Sequence, residues 1–351
     1  MEIKLAFIGF GNVARAFARI LRDRRSQLAR RYDLTFRVTA IATGTHGCAL
    51  SGSAIDLDEA VALVERGGSL RDLAGATAVG DSMQVIEACD ADVVFETTPL
   101  NPADGEPAAD YIRHALSRGM SVVTANKGPV AFAHRELSRL AGERRASFRF
   151  EGTVMDGAPV FNLAEYCLPA ARVLGFCGLL NSTTNVVLEG MELGRSLDES
   201  LAEARRLGIA EANANYDIDG WDAAVKAVAL ANVLMSVDAR PSDVERVGIR
   251  GVTGEALRAA AGDGNRIRLV ARAEMSGGEL RLRVAPEAVP LASPLGCASG
   301  ASNVLVINTD LMGELTIFEK DPGVEQTAYA LLSDMIRIHE DMILRRRGAS
   351  S

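Results

Sequence analysis

Over the first 130 positions of the chain, short apolar runs alternate with segments in which apolar residues recur at helical spacing. An almost continuous apolar run covers residues 3–8, as in a buried parallel strand. Apolar residues then recur at helical spacing from about residue 12 to 31, which predicts an amphipathic helix. The same alternation predicts further strands over 36–42, 93–96 and 121–124, and helices over 54–65, 82–89 and 108–118. Alternating elements of this kind indicate βαβ units and a parallel sheet.

The pattern changes after about residue 145. A helix over 324–347 closes the chain, and its basic end suits the negative pole of a helix C-terminus. The elements predicted before it are strands over 147–151, 173–180, 280–289 and within 303–317, and helices over 197–207 and 223–237. This mixture predicts a second part of the α+β class.

A glycine-rich turn joins the first predicted strand to the first helix. Gly9, Gly11 and Ala14 form G-x-G-x-x-A, which allows a tight turn, a close backbone approach to a pyrophosphate and close helix packing. The helix start, at Asn12 and Val13, would offer its N–H groups to the phosphates. Because the motif follows an apolar strand and opens a helix, it predicts a dinucleotide site. The alternative is a turn with only a structural role.

The end of the second predicted strand bears on the choice of cofactor. An NAD site usually has an acidic residue there, but this chain has no Asp or Glu between Ala42 and Asp56. The groups that could hydrogen-bond a 2′-phosphate instead are Thr43, Thr45, His46 and Arg15. The sequence therefore favours NADP(H), with NAD(H) as the alternative.

Polar residues follow the next two predicted strands. Thr97 and Thr98 come after one strand, and Lys127 comes after the other. Ligands of open α/β sheets lie beyond the carboxyl ends of the strands, so these side chains are expected near the nicotinamide. Ordinary loop capping by the threonines and a surface position for the lysine are the structural alternatives.

Carboxylates are densest between residues 211 and 226. Asp222 and Lys226 are four residues apart at a predicted helix start, so they share one face. An exposed ion pair beside an acidic capping loop would explain this spacing. Alternatively, the carboxylates could hold the ammonium group of an amino acid, with Lys226 as a proton donor.

Composition excludes several classes of protein. The formal net charge is −8, without long basic runs, which argues against nucleic acid or an anionic membrane as the main partner. No apolar stretch reaches the ~18 residues that span a bilayer, and no signal peptide is evident. The 5 cysteines are far apart, so we expect neither a disulfide scaffold nor a zinc site, and a cytoplasmic location. None of the 4 histidines has a partner in a recognisable nucleophile motif.

Taken together, the motifs resemble those of the homoserine dehydrogenases over residues 5 to about 335. The family's A-N-K, E-x-T-V-x-x-G-x-P, G-x-x-x-x-T-x-N, G-x-x-E and D-x-x-G-x-D-x-x-x-K segments recur here in order. They correspond to 125–127, 151–159, Gly178 with Thr183 and Asn185, Gly208 with Glu211, and 217–226.

The resemblance implies reversible NAD(P)-dependent interconversion of L-aspartate 4-semialdehyde and L-homoserine, in threonine and methionine biosynthesis. Lys226, Lys127 and Asp222 would be catalytic, with Lys226 as proton donor and Lys127 in contact with cofactor and substrate. The substrate would be bound by Glu211, Asp217, Asp222 and Thr183. Beyond the residues already named, Gly208 and Gly323 would contact the cofactor, the latter in a late loop shorter than is usual in the family.

The resemblance implies that the segment 151–158 holds a monovalent cation, which we expect to be sodium. The ligands would be the Glu151 side chain and the carbonyl groups of Val154, Asp156 and Ala158. Asp156 occupies a position that is more often a small residue, which is harmless if only its carbonyl is used.

The resemblance also implies the domain organisation. A Rossmann-type domain of 1–135, rejoined by the C-terminal helix within 318–351, would flank a substrate-binding and dimerisation domain of 136–317. We expect a homodimer without a regulatory ACT domain. Two alternatives are a related amino-acid or semialdehyde dehydrogenase and a non-enzymatic NADP sensor.

Overall fold

The computed structural model describes residues 1–211 and 213–348. Contacts within the chain divide it into two compact units, which we describe separately: unit 1 is Met1–Pro159 with Gly323–Ser351, and unit 2 is Val160–Pro322. The domain ranges given above, 1–135 with 318–351 and 136–317, remain a prediction. The last three residues of that prediction, 349–351, lie outside the described part.

Unit 1 is built on a seven-stranded sheet of order β4-β3-β2-β1-β5-β6-β7. Its strands are β1 (Glu2–Ile8), β2 (Thr35–Ala42), β3 (Cys48–Leu50), β4 (Thr77–Val79), β5 (Val93–Glu96), β6 (Ser121–Thr124) and β7 (Phe148–Arg149). Its helices are α1 (Asn12–Tyr32), α2 (Leu57–Glu65), α3 (Ser82–Ala88), α4 (Ala108–Ser117), α5 (Lys127–Glu143) and, returning at the end of the chain, α13 (Val324–Gly348).

The sheet of unit 1 is parallel except at one edge. The ladders that join β2, β1, β5, β6 and β7 are parallel, as expected from the βαβ pattern. β3 and β4 pair antiparallel and extend the sheet beyond β2. The sequence pattern did not predict these two strands, because each has only three residues. Only five residues join β2 to β3, too few for a crossover connection.

The core of unit 1 contains the inward faces of β1, β2 and β5 together with α1 and α13. Phe7, Phe17 and Phe95 are fully buried in it, with ring centroids 4.7–5.9 Å apart. Leu331 and Met335 of α13 belong to the same core. The C-terminal helix is therefore part of unit 1.

Unit 2 contains a six-stranded sheet of order β13-β12-β8-β10-β11-β9. The strands are β8 (Val173–Leu179), β9 (Val244–Arg246), β10 (Asn265–Ser276), β11 (Glu279–Pro290), β12 (Asn303–Thr309) and β13 (Gly313–Glu319). The helices are α6 (Val160–Asn162), α7 (Ser182–Glu192), α8 (Leu197–Arg206), α9 (Asn215–Ile218), α10 (Trp221–Leu234), α11 (Gly254–Gly262) and α12 (Pro294–Cys297). Of the long hairpin formed by β10 and β11, the sequence pattern predicts only β11.

Within the described residues, no helix is long and apolar enough to span a bilayer.

Candidate functional site

The glycine-rich turn of unit 1 is fixed where three strands end. Gly9 has φ +90°, and a Cβ there would lie 2.7 Å from the carbonyl group of Thr97, so only glycine fits. Gly9 N–H donates to Ala42 O at 2.9 Å, and Thr97 Oγ1 donates to Gly9 O at 3.0 Å. The ends of β1, β2 and β5 are thereby held together. Gly11 is the N-cap of α1 and supplies no capping side chain, so the first N–H groups of the helix, from Asn12 onward, suit an anion.

The loop after β2 is shaped by its own side chains. Thr43 Oγ1 donates to Gly47 O at 3.0 Å and accepts from His46 N–H at 2.7 Å. The His46 ring Nδ1 lies 2.8 Å from Gly68 O. Arg71 packs beside this loop, since a Cβ at Gly47 would be 3.3 Å from its Nε. The guanidinium group of Arg71 therefore lies beside this loop, and the sequence pattern did not predict it.

Arg15 lies on the first turn of α1. Its guanidinium donates to Phe10 O at 3.0 Å and to Asn12 Oδ1 at 2.8 Å, and it lies 3.8 Å from Glu65. These contacts hold it beside the glycine-rich turn.

A buried carboxyl group organises the ends of β5 and β6. Glu96 is fully buried, and its Oε2 accepts from Thr124 Oγ1 at 2.6 Å. Its Oε1 accepts from the backbone N–H of Thr98 at 2.8 Å and from the Thr98 hydroxyl. Burial raises the pKa of Glu96 above its usual value. The hydroxyls of Thr97 and Thr98 therefore both donate to protein groups, which leaves only their oxygen atoms to accept from a ligand.

Lys127 is the first residue of α5 and is half-buried. The preceding residue, Asn126, determines where this helix begins. Its Oδ1 accepts from Gly128 N–H at 3.0 Å, and its Nδ2 donates to Thr98 O at 3.1 Å. Lys127 thus lies at the same sheet edge as the loop of Thr97 and Thr98.

The segment predicted to hold a cation is a tight turn that is mostly buried. Glu151 is 3% exposed, and its N–H donates to Asp334 Oδ2 at 2.9 Å. Val154 and Ala158 are buried. Asp156 has φ +42°, and its Oδ1 accepts from Thr327 Oγ1 at 2.8 Å. The hydroxyl of Thr327, in the first turn of α13, also contacts Gly323 O at 3.3 Å.

In unit 2 one amide group joins two carboxylates. Asn181 Nδ2 donates to Asp217 Oδ1 at 2.7 Å and to Asp222 Oδ2 at 2.9 Å. Lys226 Nζ lies 3.4 Å from the same Asp222 oxygen and donates to Leu180 O at 2.8 Å. The side chains of Asp222 and Lys226 are only 10% and 14% exposed. The pair is therefore not an exposed surface ion pair.

The remaining predicted residues of unit 2 lie close to α7 and α8. Thr183 is 5% exposed, and its hydroxyl donates to Ile209 O at 3.3 Å, which links α7 to the segment after α8. Gly208 has φ +73° beyond the end of α8. Glu211 is exposed, and its carbonyl accepts from Arg205 Nε at 3.3 Å.

Comparison with known proteins identifies the family. The family model for the NAD-binding domain of homoserine dehydrogenase matches residues 9–151, and the homoserine dehydrogenase model matches residues 159–336. The chain belongs to the homoserine dehydrogenase family. It is thus an oxidoreductase acting on a CH–OH group with a nicotinamide cofactor, and the alternatives of a related dehydrogenase or a sensor are not favoured.

Three individual homoserine dehydrogenases match over almost their whole length. An NAD(+)-dependent homoserine dehydrogenase of Pseudomonas canavaninivorans is 36% identical over 340 residues, 97% of each chain. That of Methanocaldococcus jannaschii is 37% identical, over 95% of this chain and 98% of its own. A hyperthermophilic archaeal homoserine dehydrogenase, solved in complex with NADPH, has a TM-score of 0.82 at 29% identity, over 96% of this chain and 98% of that one.

The sequence pattern did not predict four polar residues at these positions: Asn181, Glu96, Asn126 and Arg71. Asn181 and Asn126 are each a helix N-cap two residues after the end of a strand, a signal that the sequence does contain. Arg71 carries no such signal, because only the antiparallel β3 brings its segment to the loop after β2.

Proposed function

We propose that the chain catalyses the reversible reduction of L-aspartate 4-semialdehyde to L-homoserine, with NADP(H) as the preferred cofactor. The observation that carries the assignment of residues is the buried group of Lys226, Asp222, Asn181 and Asp217 in unit 2. It combines a cationic proton donor with carboxylates suited to an amino-acid ammonium group.

Unit 1 supplies most of the residues that bind the cofactor in this proposal. The pyrophosphate lies at Gly9, Gly11 and the start of α1, where N–H groups and the helix dipole favour an anion. Thr97, Thr98 and Lys127 contact the nicotinamide half, while Gly208 and Gly323 supply further contacts. The nicotinamide supplies the hydride in the reduction and takes it up in the oxidation.

The preference for NADP(H) rests on the loop after β2. Relatives of both kinds exist, since one is named NAD(+)-dependent and another binds NADPH. In this chain the loop has no acidic residue to repel a 2′-phosphate, and Arg71 packs beside it. A guanidinium group suits a phosphate.

Lys226 acts as general acid in the reduction and as general base in the oxidation. Hydride addition to the aldehyde carbon leaves negative charge on the oxygen, which a lysine ammonium can stabilise and protonate. Asp222, one helical turn before Lys226, orients the ammonium. Glu211 and Asp217 bind the substrate with Asp222 and Thr183.

The turn after β7 fits a monovalent cation such as sodium. The buried carboxylate of Glu151, with backbone carbonyl groups, is a hard oxygen donor set. The Asp156 side chain is engaged by Thr327, so only its carbonyl serves as a ligand, along with those of Val154 and Ala158. The cation would stabilise the turn and take no part in the chemistry.

The proposal includes a homodimer in the cytoplasm. Leu174 and Met275 are 48% and 46% exposed on neighbouring strands of the unit 2 sheet, where β8 pairs with β10. Apolar side chains exposed together favour an interface between copies. The five cysteines are free thiols, as suits a reducing compartment.

The function is tested by the oxidation of NADPH with L-aspartate 4-semialdehyde, repeated with NADH. Lys226→Ala should lose ~10²-fold or more in kcat, the usual contribution of a positioned acid, while the Kd of NADP(H) stays unchanged. The matched control is Lys4→Ala, which removes a lysine paired with Asp90 at 2.7 Å outside the site. Absence of turnover by the wild type would refute the reaction, and near-normal kcat of Lys226→Ala from pH 6 to 10 would refute the role of Lys226.

A further inference from the structure

A short turn in unit 2 joins the two helices that carry the substrate carboxylates. Helix α9 bears Asp217 and α10 bears Asp222, and only Asp219 and Gly220 stand between the two helices. Gly220 has φ +79°, and a Cβ there would lie 3.4 Å from Val284 Cγ1, so the turn packs against β11. The conformation of this turn therefore sets how the two carboxylates lie relative to each other.

The residues that follow β9 hold the first half of this turn. Ile249 N–H donates to Ile218 O at 2.9 Å. A Cβ at Gly248 would overlap the same carbonyl oxygen, so only glycine allows the two segments to approach this closely. Arg250 Nε donates to Asp219 Oδ1 at 2.5 Å. Each of these contacts is made to α9 or to the residue directly after it.

Arg246, the last residue of β9, contacts both sides of the turn. Its Nη1 donates to Asp219 O, and its guanidinium carbon lies 3.8 Å from the centroid of the Trp221 ring. Trp221 is the first residue of α10 and directly precedes Asp222. A planar guanidinium group can lie over an aromatic ring while its N–H groups donate hydrogen bonds. Arg246 thus ties the end of α9 to the start of α10.

The carboxylates are therefore anchored from two directions. Asn181, before α7, donates to both carboxylate groups, while Arg246 holds the backbone that joins their helices. Lys226 has an anchor outside the turn, because its Nζ donates to Leu180 O at 2.8 Å. Loss of Arg246 should consequently disturb the carboxylates more than the proton donor.

We propose that Arg246 is a substrate-positioning residue, which holds Asp217 and Asp222 in the arrangement that receives the ammonium group of the amino-acid substrate. The inference rests on the proposed function, in which these two carboxylates bind that ammonium group. Arg246 acts through Trp221 and the carbonyl group of Asp219. It gives β9, an edge strand of the unit 2 sheet, a part in substrate recognition.

The test is Arg246→Met, which removes the guanidinium group but keeps an unbranched apolar side chain beside Trp221. The KM for L-homoserine should rise about tenfold, because displaced carboxylates bind the ammonium group less well, while kcat changes less than about threefold. Arg246→Lys keeps the charge but lacks the planar group, so its KM should lie between those of the wild type and Arg246→Met. Each variant is assayed below its own melting temperature, and Arg246→Lys alone carries the test if Arg246→Met does not fold.

The matched control is Arg283→Met on the neighbouring strand β11. Arg283 pairs with Glu245 and Glu287, and its side chain is 41% exposed. This variant also loses one guanidinium group of the same sheet, but it should leave both kinetic constants unchanged. The fluorescence of Trp221, the only tryptophan of the chain, should change in Arg246→Met and not in Arg283→Met. Unchanged fluorescence in Arg246→Met would overturn the contact on which the inference depends.

A second compound identifies the group whose binding depends on Arg246. With 4-hydroxybutanoate, which has no ammonium group, the wild type and Arg246→Met should be equally poor, measured as turnover or as inhibition of homoserine oxidation. An unchanged KM for homoserine in Arg246→Met would overturn the proposal. So would a loss in kcat alone, or an equal loss with both compounds. Wild type that fails to oxidise homoserine would refute the proposed function itself, which is a distinguishable result.

Discussion

At the scale of single residues, Asn181 shows how a neutral amide can hold two carboxylates that repel each other. Its two N–H donors go to Asp217 and Asp222, and its Oδ1 accepts from Thr184 N–H, which caps α7. The carboxylates are thereby fixed relative to a helix. Lys226 Nζ lies within ion-pair distance of Asp222 and also donates a hydrogen bond to Leu180 O.

The cofactor preference is also decided by single residues. Thr43→Asp places a carboxylate after β2, beside the expected 2′-phosphate, and the new side chain can still accept from His46 N–H as the threonine does. The ratio of kcat/KM for NADPH to that for NADH should fall tenfold or more, because like charges repel at short range. Thr43→Asn, an uncharged residue of the same shape, is the control and should keep the wild-type ratio. A wild-type preference for NAD(H) of tenfold or more would contradict the assignment.

At the scale of elements, α13 completes the unit that the N-terminal βαβ segment begins. Its buried residues Leu331, Met335 and Ile338 pack with α1. A hydrogen bond also joins the two helices: the His339 ring Nε2 of α13 donates to Tyr32 O of α1 at 3.0 Å. His339 is fully buried, and its Nδ1 has no hydrogen-bond partner among the described residues.

This histidine makes the packing of α13 sensitive to acid. Burial lowers the pKa of His339 below its usual value, since a second ring proton would be buried without an acceptor. The stabilisation is therefore present above the unfolded-state pKa, near pH 6.5, and is lost as the pH falls through the lower folded-state pKa. We expect the wild type to lose more free energy of unfolding between pH 7 and pH 5 than His339→Gln does, as measured by urea denaturation. His114→Gln, at a half-exposed histidine, should behave like the wild type, and parallel losses in all three proteins would contradict the assignment.

Elements with a strong hydrophobic period could be predicted from the sequence. Elements that form only by contact with residues distant in sequence could not. The buried run of β1 and the helical spacing of α1 each carry their own signal, and α13 is found where expected. Helix α2 begins at Leu57, three residues later than predicted, because Asp56 caps it by accepting from the N–H groups of Asp58 and Glu59. The short β3 and β4 exist only because β2 offers them an edge.

The site residues likewise divide into those that a local sequence pattern predicts and those that only the fold brings together. The four-residue spacing of Asp222 and Lys226 is visible along the chain and predicts their proximity, which the structure shows as a 3.4 Å contact. The partners of this pair are more than 40 residues away in sequence, at Leu180 and Asn181, so only the fold brings them together. A residue that acts through a long-range contact leaves no local pattern to read.

At the scale of the whole molecule, the two units have separate hydrophobic cores. One core lies between α1, α13 and the parallel sheet, and the other lies against β8 and β12 of the second sheet. The predicted cofactor residues are concentrated in unit 1, while the predicted substrate residues other than Lys127 lie in unit 2. Units with their own cores can open independently, so each ligand should stabilise mainly the unit that binds it.

Hydrogen exchange of the Lys226→Ala variant can measure this division, because that variant should bind both ligands and convert them ~10²-fold or more slowly than the wild type. NADP⁺ should slow amide exchange chiefly in residues 5–16 and 40–48, since openings that release the bound cofactor become less frequent. L-Homoserine, added next, should slow exchange in residues 178–186 and 214–226. The exposed hairpin tip at 276–279 serves as an internal control, and its exchange should not change. Slower exchange in 214–226 with NADP⁺ alone, and none in 5–16, would contradict the division of cofactor and substrate between the two units.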